Sequence, residues 1–155
     1  MKFSFVILSL MVAFGVQAQS YNSDRVSFTN FLIRMYNNAP FEGVRVVDDY
    51  DKAYLISVLA LDKRMYKNEA MLNRVASVKA MAQTSRFFNG SNITQDMFIR
   101  SSVKSDGTSD AEIIENIREN SVGYVKALEQ LTNFVRKDGL LVFIFISPVA
   151  VKNGE

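Results

Sequence analysis

The chain has 155 residues, contains no cysteine and no histidine, and carries 18 basic against 16 acidic side chains. Without histidine or cysteine there is no Ser-His-Asp triad, no thiolate nucleophile, no disulfide and no ligand set of the kind that nearly all zinc and copper sites use. The near-balance of charge provides no global field for nucleic acid, so nucleic acid is not expected as a partner, and no P-loop or dinucleotide fingerprint implies a cofactor.

Residues 1–18 read as a cleavable signal peptide. Lys2 supplies a positive start, and Phe3–Val16 is apolar except for Ser4, Ser9 and Gly15. Val16-Gln17-Ala18 then places small residues where a signal peptidase reads them, so cleavage is expected between Ala18 and Gln19. The apolar stretch is shorter than the roughly 20 residues of a membrane-spanning helix, so no stable span is expected after cleavage. With no cysteine, a lipid anchor at the cleavage point is excluded. The expected location is periplasmic or secreted, and an exported domain of this size without disulfides points to a bacterial source. Residues 19–155 suffice for a single domain with a real core.

In the remainder, Ser23 and Asp24 can cap a helix over 24–37, with Phe28, Phe31, Leu32 and Met35 on one face and Pro40 beyond its end. Gly43–Val47 is short and β-branched, Asp48-Asp49-Tyr50-Asp51 is turn-like, and Ala53–Leu61 is almost continuously apolar. This predicts a hairpin of strands 43–48 and 53–61 with the second strand buried; a buried helix is the alternative for 53–61. Asn68 can cap a long helix over 68–88. Met71, Val75, Val78 and Ala82 lie on one face of it, with Leu72 and Ala76 beside them, and Asn89-Gly90 ends it. A strand is expected over 94–103, with Met97, Ile99 and Ser101 on one face, and a short helix over 110–117 behind the Ser109/Glu112 capping box.

Residues 119–136 satisfy two patterns. Tyr124, Leu128, Leu131 and Val135 make a helical stripe, whereas Val122, Tyr124, Leu128 and Phe134 fit an alternating strand. The turn signal Lys137-Asp138-Gly139 followed by the apolar run Leu140–Ile146 favours a hairpin, so 120–136 is assigned to a strand paired with 140–147. The fold class expected is a single α+β domain with helices packed on a mixed or antiparallel sheet.

Several segments carry residue types that chemistry can use. Asp48, Asp49 and Asp51 could gather oxygens around calcium, but the EF-hand glycine and glutamate are missing and a solvated hairpin turn explains them as well. Asp106–Asp110 reads as a loop and helix cap. Ser101-Ser102-Val103-Lys104 matches the S-x-x-K pattern of penicillin-recognising enzymes, yet it lies at the end of an expected strand and lacks the companion motifs. Lys63, Arg64 and Lys67 around Tyr66 could meet an anionic surface, or form a solvated loop. Asn89-Gly90-Ser91 and Asn92-Ile93-Thr94 match the glycosylation acceptor pattern and are read as loop residues in a bacterial protein. No residues are assigned as catalytic, cofactor-binding or metal-binding.

From Tyr66 onward the layout resembles the small envelope lipoprotein domain that also forms the N-terminal part of the flagellar assembly protein T. The matching features are a helix rich in small and apolar residues (Ala70, Val75, Ala76, Val78, Ala80, Ala82), the strand Met97–Val103 and a short helix. Ser121-Val122-Gly123 then leads into an alternating segment, followed by Asp138-Gly139 and the strand 140–146. The resemblance implies an α+β fold, an envelope location and a role in structure or assembly, with no catalytic residues to carry over. The lipid-bearing cysteine of that family is missing here.

The expected function is therefore that of a non-enzymatic, protein-binding or assembly module of the envelope whose partner is another envelope protein. A small-ligand or glycan-binding module with Tyr50, Tyr54 and Tyr66 lining a pocket is the first alternative. A hydrolase built on two facing carboxylates is the second.

Overall fold

The computed structural model describes residues 23–49, 52–90, 98–100 and 120–149. The signal segment 1–18 with its Ala18–Gln19 junction, the helix expected over 110–117, Ser101, Lys104, Asn92 and Asp106–Asp110 lie outside them. The chain divides into two units, one ending at Pro40 and the other starting at Phe41.

The first unit holds helix α1 over 23–38, within a residue of the expected ends. Its apolar positions do what their spacing predicts. Phe28, Leu32 and Tyr36, four residues apart, are buried, and the rings of Phe28 and Phe31 stack at 6.4 Å. The Ala39 N–H donates to the Met35 carbonyl at 2.9 Å and closes the last turn ahead of Pro40.

The second unit is α+β. Strands β1 (Gly43–Asp49), β2 (Lys52–Leu61), β3 (Phe98–Arg100), β4 (Glu129–Val135) and β5 (Leu141–Val149) form one sheet in the order β3-β1-β2-β5-β4. β1, β2, β5 and β4 run antiparallel in sequence of neighbours, and β3 adds in parallel to β1, so the sheet is mixed. The expected hairpin of β1 and β2 is present, in a register from Gly43 opposite Val58 to Asp49 opposite Lys52. Helix α2 (Glu69–Gly90) and helix α3 (Ser121–Lys126) complete the unit.

Pairing register decides which side chains share a face. Val44, Val46, Leu55, Leu59, Phe143 and Phe145 point to the first face, where α2 and α3 pack on them through Leu72, Ala76, Ala80, Phe87 and Tyr124. The second face carries Val47, Ile56, Val58, Val142 and Ile144, all fully buried. Burial on both faces is why β2 and β5 read as unbroken apolar runs in the sequence.

Three expectations need correction. Residues 120–136 are not one strand: Ser121–Lys126 is helical and only Glu129–Val135 is extended. Neither pattern holds across the segment: only Tyr124 of the helical stripe lies in the helix, and only Phe134 of the alternating set lies in the strand. Tyr124 is buried within the helix and Leu128 just beyond it, and the Ala127 N–H to Gly123 carbonyl bond of 2.9 Å closes the helix before β4 begins. Second, the turn-like Asp48 and Asp49 both belong to β1, which includes Asp48 as the expected strand 43–48 did and runs one residue further; Asp48 pairs with Ala53 and is 4 % exposed. Third, the strand from Leu141 runs through Pro148 to Val149. β4 begins opposite Ile146, so Pro148 lies past its end, where no β4 carbonyl needs the missing N–H.

The β4–β5 turn requires one glycine. The Arg136 N–H donates to the Leu140 carbonyl at 2.8 Å and the Gly139 N–H to the Arg136 carbonyl at 2.9 Å, and Gly139 takes φ +87°. Helical Gly123 has open space around the position of a Cβ. Gly139→Ala is expected to lower stability by about 1 kcal/mol through backbone strain alone, and Gly123→Ala to raise it by up to about 1 kcal/mol. Urea midpoints moving in opposite directions at constant slope check the pair.

Candidate binding surface

Helix α2 starts where its cap places it. The Asn68 side-chain oxygen accepts from the Met71 N–H at 2.8 Å, and the Asn68 carbonyl from the Leu72 N–H at 3.1 Å. From there Leu72, Ala76, Ala80, Thr84 and Phe87 turn to the sheet and are buried. The two alanines let the helix axis lie close to β2. At that approach the Ser57 hydroxyl donates to the Ala80 carbonyl at 3.4 Å, and the Gln83 amide donates to Ser57 Oγ at 3.0 Å and to the Val58 carbonyl at 3.2 Å.

Of the residues whose spacing marked this helix, Leu72 and Ala76 are on the core face and the stripe beside them is not. Met71 is 47 % and Val78 61 % exposed, Ala82 is exposed and Val75 half-buried. α2 therefore carries two apolar stripes whose centres lie about 140° apart, one spent on the sheet and one exposed at Met71, Val78 and Ala82. Arg74 flanks the outward stripe on one side, Lys79 and Arg86 on the other. All three are exposed, and none has an ion-pair partner among the described residues.

Beside the Lys79/Arg86 flank lies a groove of about 600 Å³ between α2 and the end of the β1–β2 hairpin. Buried Val44, Leu59, Leu61 and Phe87 form its apolar lining, and Lys79, Gln83, Arg86 and Glu42 its polar one. Glu42 is engaged: one carboxylate oxygen accepts from the Ala60 N–H at 3.4 Å and the other lies 3.7 Å from the Arg136 guanidinium.

The residues singled out in the sequence are not gathered into this surface. Tyr54 is half-buried on the second face of the sheet, whereas Tyr66 packs against the first-face cluster of Leu59, Leu61 and Leu72; Tyr50 lies outside the described residues. An aromatic pocket of these three is thus not assembled by Tyr54 and Tyr66. In the basic segment, Lys63–Met65 forms a 3-10 turn in which the Arg64 guanidinium grips Asp62 at 2.8 and 3.0 Å, and Tyr66 is turned inward. Asp48 and Asp49 belong to β1, and Asp51 lies outside the described residues. Asn89 sits in the last turn of α2, its amide 3.4 Å from Ser85 Oγ. Lys79, Gln83 and Arg86 were missed, although their spacing of four and three along one helix marks a common ridge.

Among the described residues two carboxyls have shifted ionisation, and both shift down. The Arg64 guanidinium beside Asp62 lowers its pKa, as Arg136 does for Asp138, with a further bond from the Leu140 N–H. A general acid needs the opposite shift. Because the folded pKa of Asp138 lies below the unfolded one, its contribution is present above the ordinary carboxylate pKa of 3.8 and is lost as pH falls through the folded value. The melting temperatures of the wild type and Asp138→Asn are therefore expected to differ at pH 7 and to converge in strong acid. Arg136 Nη2 lies 2.6 Å from the carboxylate being tested.

Compared with known proteins, the chain matches no family model, no curated protein and no solved structure.

Proposed function

We propose that the protein is an exported, non-enzymatic module of the bacterial envelope that docks another envelope protein through the outer surface of α2. The observation that carries this reading is the second apolar stripe, in which Met71, Val78 and Ala82 are exposed and Val75 is half-buried against the Leu72 cluster, on a helix whose core needs are already met by Leu72, Ala76, Ala80 and Phe87. Contiguous apolar surface rimmed by charge is characteristic of interaction sites. The signal-like segment 1–18, with its Ala18–Gln19 junction, supports export to the periplasm or beyond. The likeness of layout to the small envelope lipoprotein domain supports a role in assembly.

Affinity capture from envelope extracts with the full chain, tagged at its C-terminus, tests this. A protein recovered in fixed ratio by the wild type, and at least about tenfold less by Val78→Asp, is the expected result. Val78 is exposed, so the variant keeps its circular dichroism and melting temperature. Recovery of a lipid or glycan with no protein would overturn docking.

The groove supports a second reading, a small-ligand module. Its volume of about 600 Å³ falls within the range of ligand sites, and its apolar lining with convergent polar groups suits a small amphiphile. A ligand co-purifying with the wild type and lost in Arg86→Ala would move this reading to first place.

A further inference from the structure

We propose that the occupant of the α2 surface is an acidic amphipathic helix of a partner protein, packed lengthwise along α2. The inference rests on the docking reading above and adds the shape and charge of what docks.

Shape comes from the spacing. Met71, Val75, Val78 and Ala82 follow one another at intervals of four, three and four residues, the alternation of d and a positions in a heptad repeat. On a helix of 3.6 residues per turn they fall within an arc of about 60° and run about 16 Å along the axis. A partner helix meets such a seam by inserting its own a and d side chains between them.

Charge comes from the flanks. In the same heptad frame Lys79 and Arg86 are successive e positions, about 10 Å apart along the axis, and Arg74 is a g position. These are the places where interhelical ion pairs set partner choice. All three are cationic, exposed and without a carboxylate partner among the described residues. The one acidic residue of α2, Glu69, lies in its first turn, before the seam. A partner helix with Glu or Asp at its own flanking positions satisfies this pattern. A second copy of α2 does not, because it would set Arg74, Lys79 and Arg86 against like charges.

Two synthetic helices with identical leucine a and d positions, one with Glu and one with Lys at e and g, test the inference by titration into isotope-labelled full chain. The Glu helix is expected to bind at least about tenfold more tightly. Shifts should centre on Val75, Val78 and Lys79, and the preference should shrink as salt rises. In the double variant Lys79→Glu/Arg86→Glu the preference should invert, and inversion itself shows that the variant is folded. Equal binding of both helices, binding of neither, a concentration-dependent dimer blocked by Val78→Asp, or preferential binding to vesicles of anionic over neutral lipid overturns the proposal. If a captured envelope protein is lost with Val78→Asp but kept by the charge-reversal variant, docking stands and the acidic helix falls.

Discussion

Phe143→Ala lowers the stability of the sheet unit by about 3–5 kcal/mol, the cost of deleting a ring from a site that cannot collapse around the void. Phe143 is fully buried on β5, which lies between β2 and β4. It is opposite Leu59 in the β2 register, stacks with Phe145 at 6.4 Å and belongs to the cluster of Leu72, Ala76, Ala80 and Leu128 that binds α2 to the sheet. Its loss leaves a cavity between strand and helix with rigid walls on both sides. Against the total stability of about 5–15 kcal/mol typical of a domain, this is a large fraction. Urea denaturation followed by circular dichroism measures it. A loss below about 1 kcal/mol would mean that the ring is not packed between β5 and α2.

Ala80→Leu is expected to cost about 1–3 kcal/mol from the opposite cause, too much volume in a full interface. Ala80 is fully buried where α2 approaches β2, and its carbonyl accepts from Ser57 Oγ. A leucine there has no void to enter, so the helix must lift, stretching the bonds from Gln83 to Ser57 and Val58. Ala82→Leu, two residues on and facing solvent, is expected to change stability by less than about 0.5 kcal/mol. Measured together, the two substitutions separate the stripe that holds the fold from the stripe available to a partner. A tolerated Ala80→Leu with a damaging Ala82→Leu would reverse that assignment.

The existence of α2 was legible in the sequence, but its core face only in part. Met71, Val75 and Val78 outrank Ala76, Ala80 and Thr84 in hydrophobicity, so periodicity marks the outer stripe more strongly than the core stripe that Leu72 and Ala76 begin. Close packing on a sheet selects small side chains, which weakens the hydrophobic signal of the face that is used. β2 and β5 were easy to read because burial on both faces leaves a run that no solvated segment carries. Asp48 misled for a different reason. Aspartate is favoured in turns, and nothing local marks the one that continues a strand into the interior. The candidate surface was harder still. The cations Lys79 and Arg86 acquire meaning only once Met71 and Val78 are known to face out. The groove joins Glu42 and Val44 to α2 residues that no sequence window spans.

Pro148 has a consequence for self-association. β5, LVFIFISPV, is the kind of segment that pairs readily with other chains when its edge is open. In the folded unit β2 covers one edge along its whole length and β4 covers the other from Leu141 to Ile146. Only the stretch from Ser147 to Val149 projects beyond β4, and there the proline offers no amide hydrogen to an incoming strand. The exposure that matters is therefore the interval before β4 closes on β5. Because that hairpin joins neighbours in sequence, it can form in about 1–10 μs, well ahead of pairing with distant β2. The turn at Lys137–Gly139 thus doubles as protection against aggregation, since closing it covers most of one edge of β5.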